Sequence, residues 1–556
     1  MSYLGVDVGS GSVRCMLMAE NYRATQSREI SINYNHENRA IVTQSSREIY
    51  KAIEESFRHL LKSSPVKAID GISVTATCSM VVREVIDEEG TKMVLGPYNG
   101  DQDIIMWMDS RSSGECEKLN GLVPKDKLSF VGGSYIPEMG LPKLKWLSDH
   151  TDKQLMCFEL YDWISHLLIV GNGETVPYNH SYGTDDVAMD GSIKGWSEDF
   201  LSSVKIRNGI RVGGYGLDRP RVMPLGSAIG TMTSKLSAKL GISGQPAIYH
   251  GCIDCYAGWV STNPEILERE VDGTLSMIAG TSTCFVLPTS SSQAKPIDGI
   301  WGPFWQLLPN KRVYSFGQPA TGKLFEDLFR EFNDLIGDHN NFEFVERETR
   351  KIELEHNQTI NSLIRCYFYY GDVYGNRSPY NDFSMSEAFI DGANSSILQA
   401  SLLRDHTITS LVVRYNLILE FLAFQTEQII RNIQNESIDQ VEVSGSQAAN
   451  ARFMQLLSTV LQVPVISTPA SSHYQVVEGS CLIAMWGHRL QKDLGYRKEI
   501  REPRLKKIYD PAQGANSELL RTKSKLVEQF SKLQIIFRHQ MESFPKAVES
   551  SNEVSH

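Results

Sequence analysis

Tyr3-Leu4-Gly5-Val6-Asp7-Val8-Gly9-Ser10-Gly11-Ser12-Val13-Arg14-Cys15-Met16-Leu17-Met18 decides the fold class. Residues 3–8 and Val13–Met18 are apolar and β-branched, so they read as strands, with a tight turn through Gly9–Ser12. Gly9-x-Gly11 opens like a dinucleotide fingerprint. The third glycine is absent, Arg14 stands in its place, and a strand follows where the fingerprint needs a helix. The Rossmann reading fails. A Gly/Ser hairpin presents backbone N–H groups to phosphate oxygens instead. Asp7, at the strand end, is placed to hold Mg2+ through water. A plain hairpin built from turn-forming residues competes with this reading.

The theme returns far downstream. Thr274-Leu275-Ser276-Met277-Ile278-Ala279-Gly280-Thr281-Ser282-Thr283-Cys284-Phe285-Val286-Leu287 is again strand, small-residue hairpin, strand. Two such hairpins point to two similarly built halves, each offering a phosphate loop to a shared cleft. A chain of 556 residues also exceeds what one hydrophobic core supports.

Between the hairpins, Ile248–Val260 places Asp254 among Gly251, Cys252, Ile253, Ala257 and Gly258. A carboxylate in such company is paired or used. It is therefore the candidate for the chemistry, against a buried aspartate that only orders a turn. His250, Cys252 and Cys255 form H-x-C-x-x-C around it. Structural zinc needs a fourth ligand, and no second pair stands nearby, so small side chains packing beneath a turn are preferred.

Ala68–Thr77 reads as a strand, and Thr77-Cys78-Ser79 at its end is a usual place for ligand contacts. Residues 104–111 read as a strand ending in Asp109 and Arg111, where an internal salt bridge competes with a ligand role. Glu138 precedes a helix started by Pro142. Thr321-Gly322 opens a helix with Leu324, Phe325, Leu328 and Phe329 on one face. Residues 334–358 are charged and read as a surface excursion. Thr407–Ile433 reads as a long core helix. Residues 441–450 read as strand, turn and helix start, where a nucleotide base can rest on backbone. Beyond 500 come an amphipathic segment (Leu519, Leu526, Phe530, Leu533, Phe537) and a disordered-looking end.

Apolar content of 41% and charged content of 22% are those of a globular protein. A net charge of −11 argues against nucleic-acid or anionic-membrane partners. No uninterrupted apolar run reads as a membrane span, and the opening strand leaves no room for a leader. Nine scattered cysteines suit a reducing compartment, so the expected location is cytoplasmic.

Taken in order, these pieces closely resemble the FGGY family of carbohydrate kinases. They are Asp7-x-Gly9-Ser10-Gly11-Ser12, Trp107-Met108-Asp109-x-Arg111, Asp254, Gly280-Thr281-Ser282, Gly317-Gln318-x-Ala320-Thr321-Gly322, Gly375-Asn376-Arg377-Ser378-Pro379, and Gly445 with Asn450. Thr77-Cys78-Ser79-Met80-Val81 is similar to the segment of the D-ribulokinase-like branch, with Met80 where Leu is expected. Ser446 stands where the family often has a second glycine, and Cys255-Tyr256 where it has Ala and then His or Gln.

The resemblance implies an α/β fold of two actin-like (ribonuclease H-like) domains with an interdomain active-site cleft. It implies a sugar-binding domain over 1–262 and a nucleotide-binding domain over 263–495; residues 496–556, beyond it, read from their charge and periodicity as a helical extension with a disordered tail. It implies ATP and Mg2+ as cofactors, and ATP-dependent phosphorylation of a pentulose, D-ribulose first. Asp254 would be the general base. Gly9, Ser10, Gly11, Ser12, Gly280, Thr281 and Ser282 would hold phosphates, and Thr321, Gly322, Gly445, Ser446 and Asn450 would line the ATP site. Thr77, Cys78, Ser79, Asp109, Arg111, Glu138 and Asp254 would face the sugar, with Asp7 toward the metal. The partners are then a small sugar and ATP, with neither nucleic acid nor membrane, and a homodimer is compatible. A kinase of another ketose or polyol, and an inactive actin-fold ATP or metabolite binder, stay open as alternatives.

Overall fold

The computed structural model describes residues 1–21, 24–36, 40–85, 93–94, 101–171, 192–194, 196, 198–215, 224–262, 272–308, 311–382, 384–391, 405–433, 436–468, 474–494 and 506–552. The chain forms two compact units. One comprises Met1–Ile278, Val286–Phe316 and Ala470–Leu505; the other comprises Ala279–Phe285, Gly317–Pro469 and Lys506–His556.

The first unit is built on a six-stranded sheet of β1 (Ser2–Val8), β2 (Ser12–Ala19), β3 (Ala24–Ser31), β4 (Gly71–Ala76), β5 (Ala228–Thr231) and β6 (Ala247–Ile253). Its order is β5-β6-β4-β1-β2-β3. β1 pairs antiparallel with β2 and parallel with β4, which pairs parallel with β6. Every residue of β1 and β4 is buried, the signature of central strands covered on both faces.

One cover is the helix Ser46–Ser63, whose Ile49, Ile53, Phe57 and Leu60 recur at helical spacing and are buried. Ser45 caps it by accepting from the Glu48 N–H. The other is the helix Gln475–Gln491, which packs against β1 and β4. Its Ser480 Oγ donates to Ser73 O at 2.8 Å, and Tyr3 Oη is 3.0 Å from His488 Nδ1. It buries Val477, Leu482, Ile483, Met485 and Trp486, each contributing roughly 1.5–3 kcal/mol. The first compact unit therefore takes in this late helix, which completes its core. A second sheet in this unit runs Ile210–Val212, Leu155–Glu159, Met80–Val85, Ile104–Ile105, Val42–Gln44, Asn35–His36.

The second unit surrounds the helix Ile408–Asn432, capped by Thr407. By length and composition alone this helix would suffice to cross a bilayer, although Arg414 and Glu420 interrupt its apolar run; most of that stretch is buried inside the protein. The charged stretch after 334 is an amphipathic helix, Asn341–His356. Phe344, Val345 and Ile352 are buried where it packs against Ile408–Asn432. Strand Gln440–Ser444 pairs parallel with Val465–Ser467, which pairs antiparallel with Lys507–Tyr509.

A helix spans Ala515–Asn552, through the end expected to be disordered; Glu, Lys, Gln and Leu, good helix formers, make up much of its first half. Among its described side chains the buried positions are Ser517, Leu520, Lys523, Ser524, Val527 and Ser531, largely one residue beyond the expected face, and Leu526 and Leu533 are exposed. The side chain of Phe537 and residues 553–556 lie outside the described residues.

Candidate active site

Three register-matched strand ends organise the first unit. Ala76 of β4 is the partner of both Val8 of β1 and Ile253 of β6. The next residues are Thr77, Gly9 and Asp254, so three candidate segments leave the sheet side by side at the carboxyl ends of parallel strands.

The turn after β1 closes with Gly9 N–H donating to Ser12 O at 2.9 Å. The N–H groups of Ser10 and Gly11 have no partner among the described residues, as an anion-binding turn requires. Gln44 Nε2 donates to Ser10 O at 2.6 Å and Trp107 Nε1 to Ser10 Oγ at 3.0 Å, bracing the turn. Asp7 is 1% exposed, and Arg14 Nη1 donates to its Oδ2 at 3.0 Å. Asp7 Oδ1 is buried and takes no hydrogen bond among the described residues. Burial pushes its carboxyl up to about 6, against the pull of Arg14. A buried oxygen with spare lone pairs suits a hard cation or a metal-bound water, so these residues fit the Mg2+ role.

Asp254 opens the helix Asp254–Thr262 and is half-buried. Its Oδ1 accepts from Cys255 N–H at 2.7 Å. Thr77 Oγ1 and Ser79 Oγ are 2.9 Å apart, and Ser79 Oγ accepts from Trp107 N–H at 3.1 Å. Cys78 between them is half-buried.

Asp109 and Arg111 meet as a salt bridge. Arg111 Nε donates to Oδ1 at 2.8 Å and Nη2 to Oδ2 at 2.6 Å, while Val42 N–H donates to Oδ2. Asp109 is fully buried and both of its oxygens are engaged, so within this geometry it orients Arg111. Glu138 does not cap the helix Gly140–His150: the cap position is Met139 and no side chain bonds there. The strand expected at 104–111 shrinks to Ile104–Ile105, since Trp107 gives its N–H to a side chain.

The zinc reading finds no support. Lys194 Nζ is 2.5 Å from His250 Nε2 and 2.7 Å from Asp162 Oδ2, so an ammonium fills that place. No cluster of three metal-ligating side chains occurs among the described residues.

In the second unit, the tip Gly280–Ser282 closes with Gly280 N–H donating to Ser282 O at 2.9 Å. Thr281 and Ser282 N–H groups have no partner among the described residues. Thr321 N–H donates to Thr281 O at 2.9 Å and Gly322 N–H to Gly280 O at 3.0 Å, with Thr321 and Thr283 hydroxyls 2.7 Å apart. Thr321 and Gly322 thus spend these donors holding the tip. Gly322 must be glycine, because a Cβ would stand 2.7 Å from Gly280 O.

Gly445 has φ +86, and a Cβ there would meet Ala279 O at 2.4 Å. Beyond it a cavity of about 1240 Å3 is lined by Ser446, Gln447, Asn450, Phe342 and Tyr415. Asn450 borders this cavity, yet its amide is committed. Its Oδ1 caps the helix Ala451–Leu461, and its Nδ2 donates to Tyr415 Oη at 2.8 Å. Tyr415 donates to Glu346, which accepts from Arg452.

Sequence reasoning assigned no role to Arg14 or Lys143. Arg14 is the one cation in an otherwise apolar strand, a signal that was present. Lys143 shares a helical face with Leu144 and Leu147, which marks it as buried.

Two family models match the chain. The N-terminal domain of the FGGY family of carbohydrate kinases matches residues 2–261, and its C-terminal domain residues 275–488. A D-ribulokinase of Saccharomyces cerevisiae is 31% identical over 550 residues, covering 90% of this chain and 73% of the yeast protein. An FGGY carbohydrate kinase domain-containing protein of Homo sapiens is 24% identical over 499 residues, 84% of this chain and 85% of that protein. Among solved structures, a xylulose kinase from Rhodospirillum rubrum aligns with a TM-score of 0.73 at 16% identity, over 97% of this chain and 100% of that one. That likeness bears on fold alone, and the fold is the expected two-domain actin-like α/β.

Proposed function

The chain belongs to the FGGY family of carbohydrate kinases, and from that premise we propose that it transfers the γ-phosphate of ATP to a hydroxyl of a pentulose, D-ribulose first. The observation that carries the reading is the shared register of Val8, Ala76 and Ile253, which delivers a phosphate-type turn, the Thr77–Ser79 wall and Asp254 to one sheet edge. The choice of D-ribulose rests on the yeast relative bearing that name.

Phosphoryl transfer asks the protein for in-line positioning, charge neutralisation and a proton acceptor. Asp254 accepts the proton of the attacking hydroxyl; its half-buried carboxylate is reachable by substrate. The unpartnered N–H groups of Ser10 and Gly11 in the first unit, and those of Thr281 and Ser282 in the second, each suit phosphate oxygens. Ser446 and Asn450 border the adenosine, and Thr77, Ser79 and Arg111 border the sugar. Mg2+, held by Asp7 through water, would neutralise phosphate charge when bound. We also place the enzyme in the cytoplasm: none of its nine cysteines is joined in a disulfide, which supports a reducing compartment and is tested by cell fractionation.

The test is ATP consumption by the purified chain with Mg2+ against D- and L-ketopentoses, pentitols and glycerol. Selective turnover of D-ribulose is expected. Turnover of another polyol keeps the mechanism and discards the substrate. ATP binding with no turnover on any polyol favours the inactive binder.

A further inference from the structure

Lys143, in the helix Gly140–His150, is 1% exposed. Its Nζ donates to the carbonyl oxygens of Met106 at 2.8 Å, Trp107 at 3.0 Å and Glu138 at 2.9 Å. Those three bonds account for every proton of the ammonium, and Lys143 forms no salt bridge among the described residues. A buried ammonium held only by dipoles is costly. Burial lowers its pKa to about 8, although the neighbouring Cys78, Asp109, Glu138 and Glu159 act in the other direction. An apolar side chain would fill the same volume at less cost, so the charge must serve the convergence of those three carbonyls.

Their positions say what is held. Met106 and Trp107 follow Ile104–Ile105, and Glu138 ends the segment before the helix. Trp107 in turn gives its N–H to Ser79 Oγ and its indole N–H to Ser10 Oγ. One ammonium therefore ties the Glu138 segment to the residue that joins the Gly9–Ser12 turn to the Thr77–Ser79 wall. Resting on the carbohydrate-kinase reading above, we propose that Lys143 is a positioning residue for the sugar acceptor, fixing Trp107 and Glu138 against the phosphate turn.

The test is steady-state kinetics of the full chain, using the acceptor that the wild type turns over best. Lys143→Met removes the three donations and keeps the aliphatic stem. The KM for the acceptor should rise by about tenfold or more, while the KM for ATP stays within about twofold. Lys143→Arg, which restores donors, should recover part of that loss. Unchanged KM values with activity falling only as folded protein is lost would make Lys143 a packing residue and overturn the proposal. If Lys143→Met does not fold, Lys143→Gln carries the same comparison, and failure of both to fold also overturns it. A wild type that turns over no polyol sinks the parent reading and this one together; an active wild type with an unchanged acceptor KM in Lys143→Met sinks this one alone.

Discussion

Asp7 and Arg14 are register partners across the β1–β2 hairpin, and the guanidinium reaches the carboxylate at 3.0 Å. Arg14 Nη1 also lies 3.5 Å from where Gly9 would carry a Cβ, so the cation sits beside the phosphate turn. Arg14→Met would leave Asp7 buried and uncompensated. Losing one partner of a buried pair costs about 3–5 kcal/mol, and the 23% exposure of Arg14 reduces this to about 2–3 kcal/mol. Urea denaturation should show that loss, and Asp7→Asn on the same background should return part of it. An Arg14→Met protein as stable as wild type would mean the pair does not hold the turn.

Asp254→Asn tests the chemistry directly. The substitution keeps size and the contact with Cys255 N–H while removing the basic oxygen. Turnover should fall by about two to four decades with the melting temperature unchanged. Activity within about threefold of wild type would remove Asp254 from the role of base.

Gly445→Ala probes the second unit. Positive φ and the 2.4 Å approach to Ala279 O leave no room for a methyl group, so the Gly280–Ser282 tip or the turn after Ser444 must move. The KM for ATP should rise by about tenfold or more, with the acceptor KM far less affected. An equal rise in both would place the damage in general stability rather than in the nucleotide side.

Asp372 supplies a pH-dependent signature. It is buried, accepting from Asn376 Nδ2 at 2.8 Å and Gln425 Nε2 at 3.0 Å, and burial still pushes its pKa from 3.8 to about 6. Between about pH 4 and 6 the folded state then holds a proton that the unfolded chain has released, so this group's contribution to stability falls as pH rises through that window. Asp372→Asn has no such proton to lose. The melting temperature of the variant should therefore gain on wild type between about pH 4.5 and 7.5. A constant gap over that range would show that Asp372 is ionised throughout.

Much of this was legible where one residue's neighbours in sequence are also its neighbours in space. The Ser2–Ala19 hairpin could be read because two apolar runs flank a turn that only small residues fill. Thr407–Ile433 could be read from its length and apolar repeat, and the helix after Thr321 from Leu324, Phe325, Leu328 and Phe329. What failed was partnership between distant segments. Nothing within residues 475–491 says that they cover β1, because an apolar helix face does not name what it packs on. In the carboxyl-terminal helix the buried face includes Lys523, whose charge gives no sign of burial in the sequence. The role of Lys143 depends on three carbonyls that the fold alone brings near.

Lys523 carries the last prediction. Its Nζ bonds Glu420 at 2.5 Å and donates to Ile364 O at 3.1 Å, and both charged side chains are 2% exposed. Glu420 also accepts from Asn361. The pair fastens the helix Ala515–Asn552 to the central helix Ile408–Asn432. Lys523→Met would strand the Glu420 carboxylate in the core, costing about 3–5 kcal/mol. Glu420→Gln added to it should recover a good part, because an amide can still meet Asn361 without a buried charge. Deleting residues 506–556 should cost more than Lys523→Met alone, since strand Lys507–Tyr509 is lost from its register with Val465–Ser467 as well. Thermal melts of the three variants order these effects. A deletion that melts with wild type would mean that the extension is an appendage and that Glu420 finds compensation elsewhere.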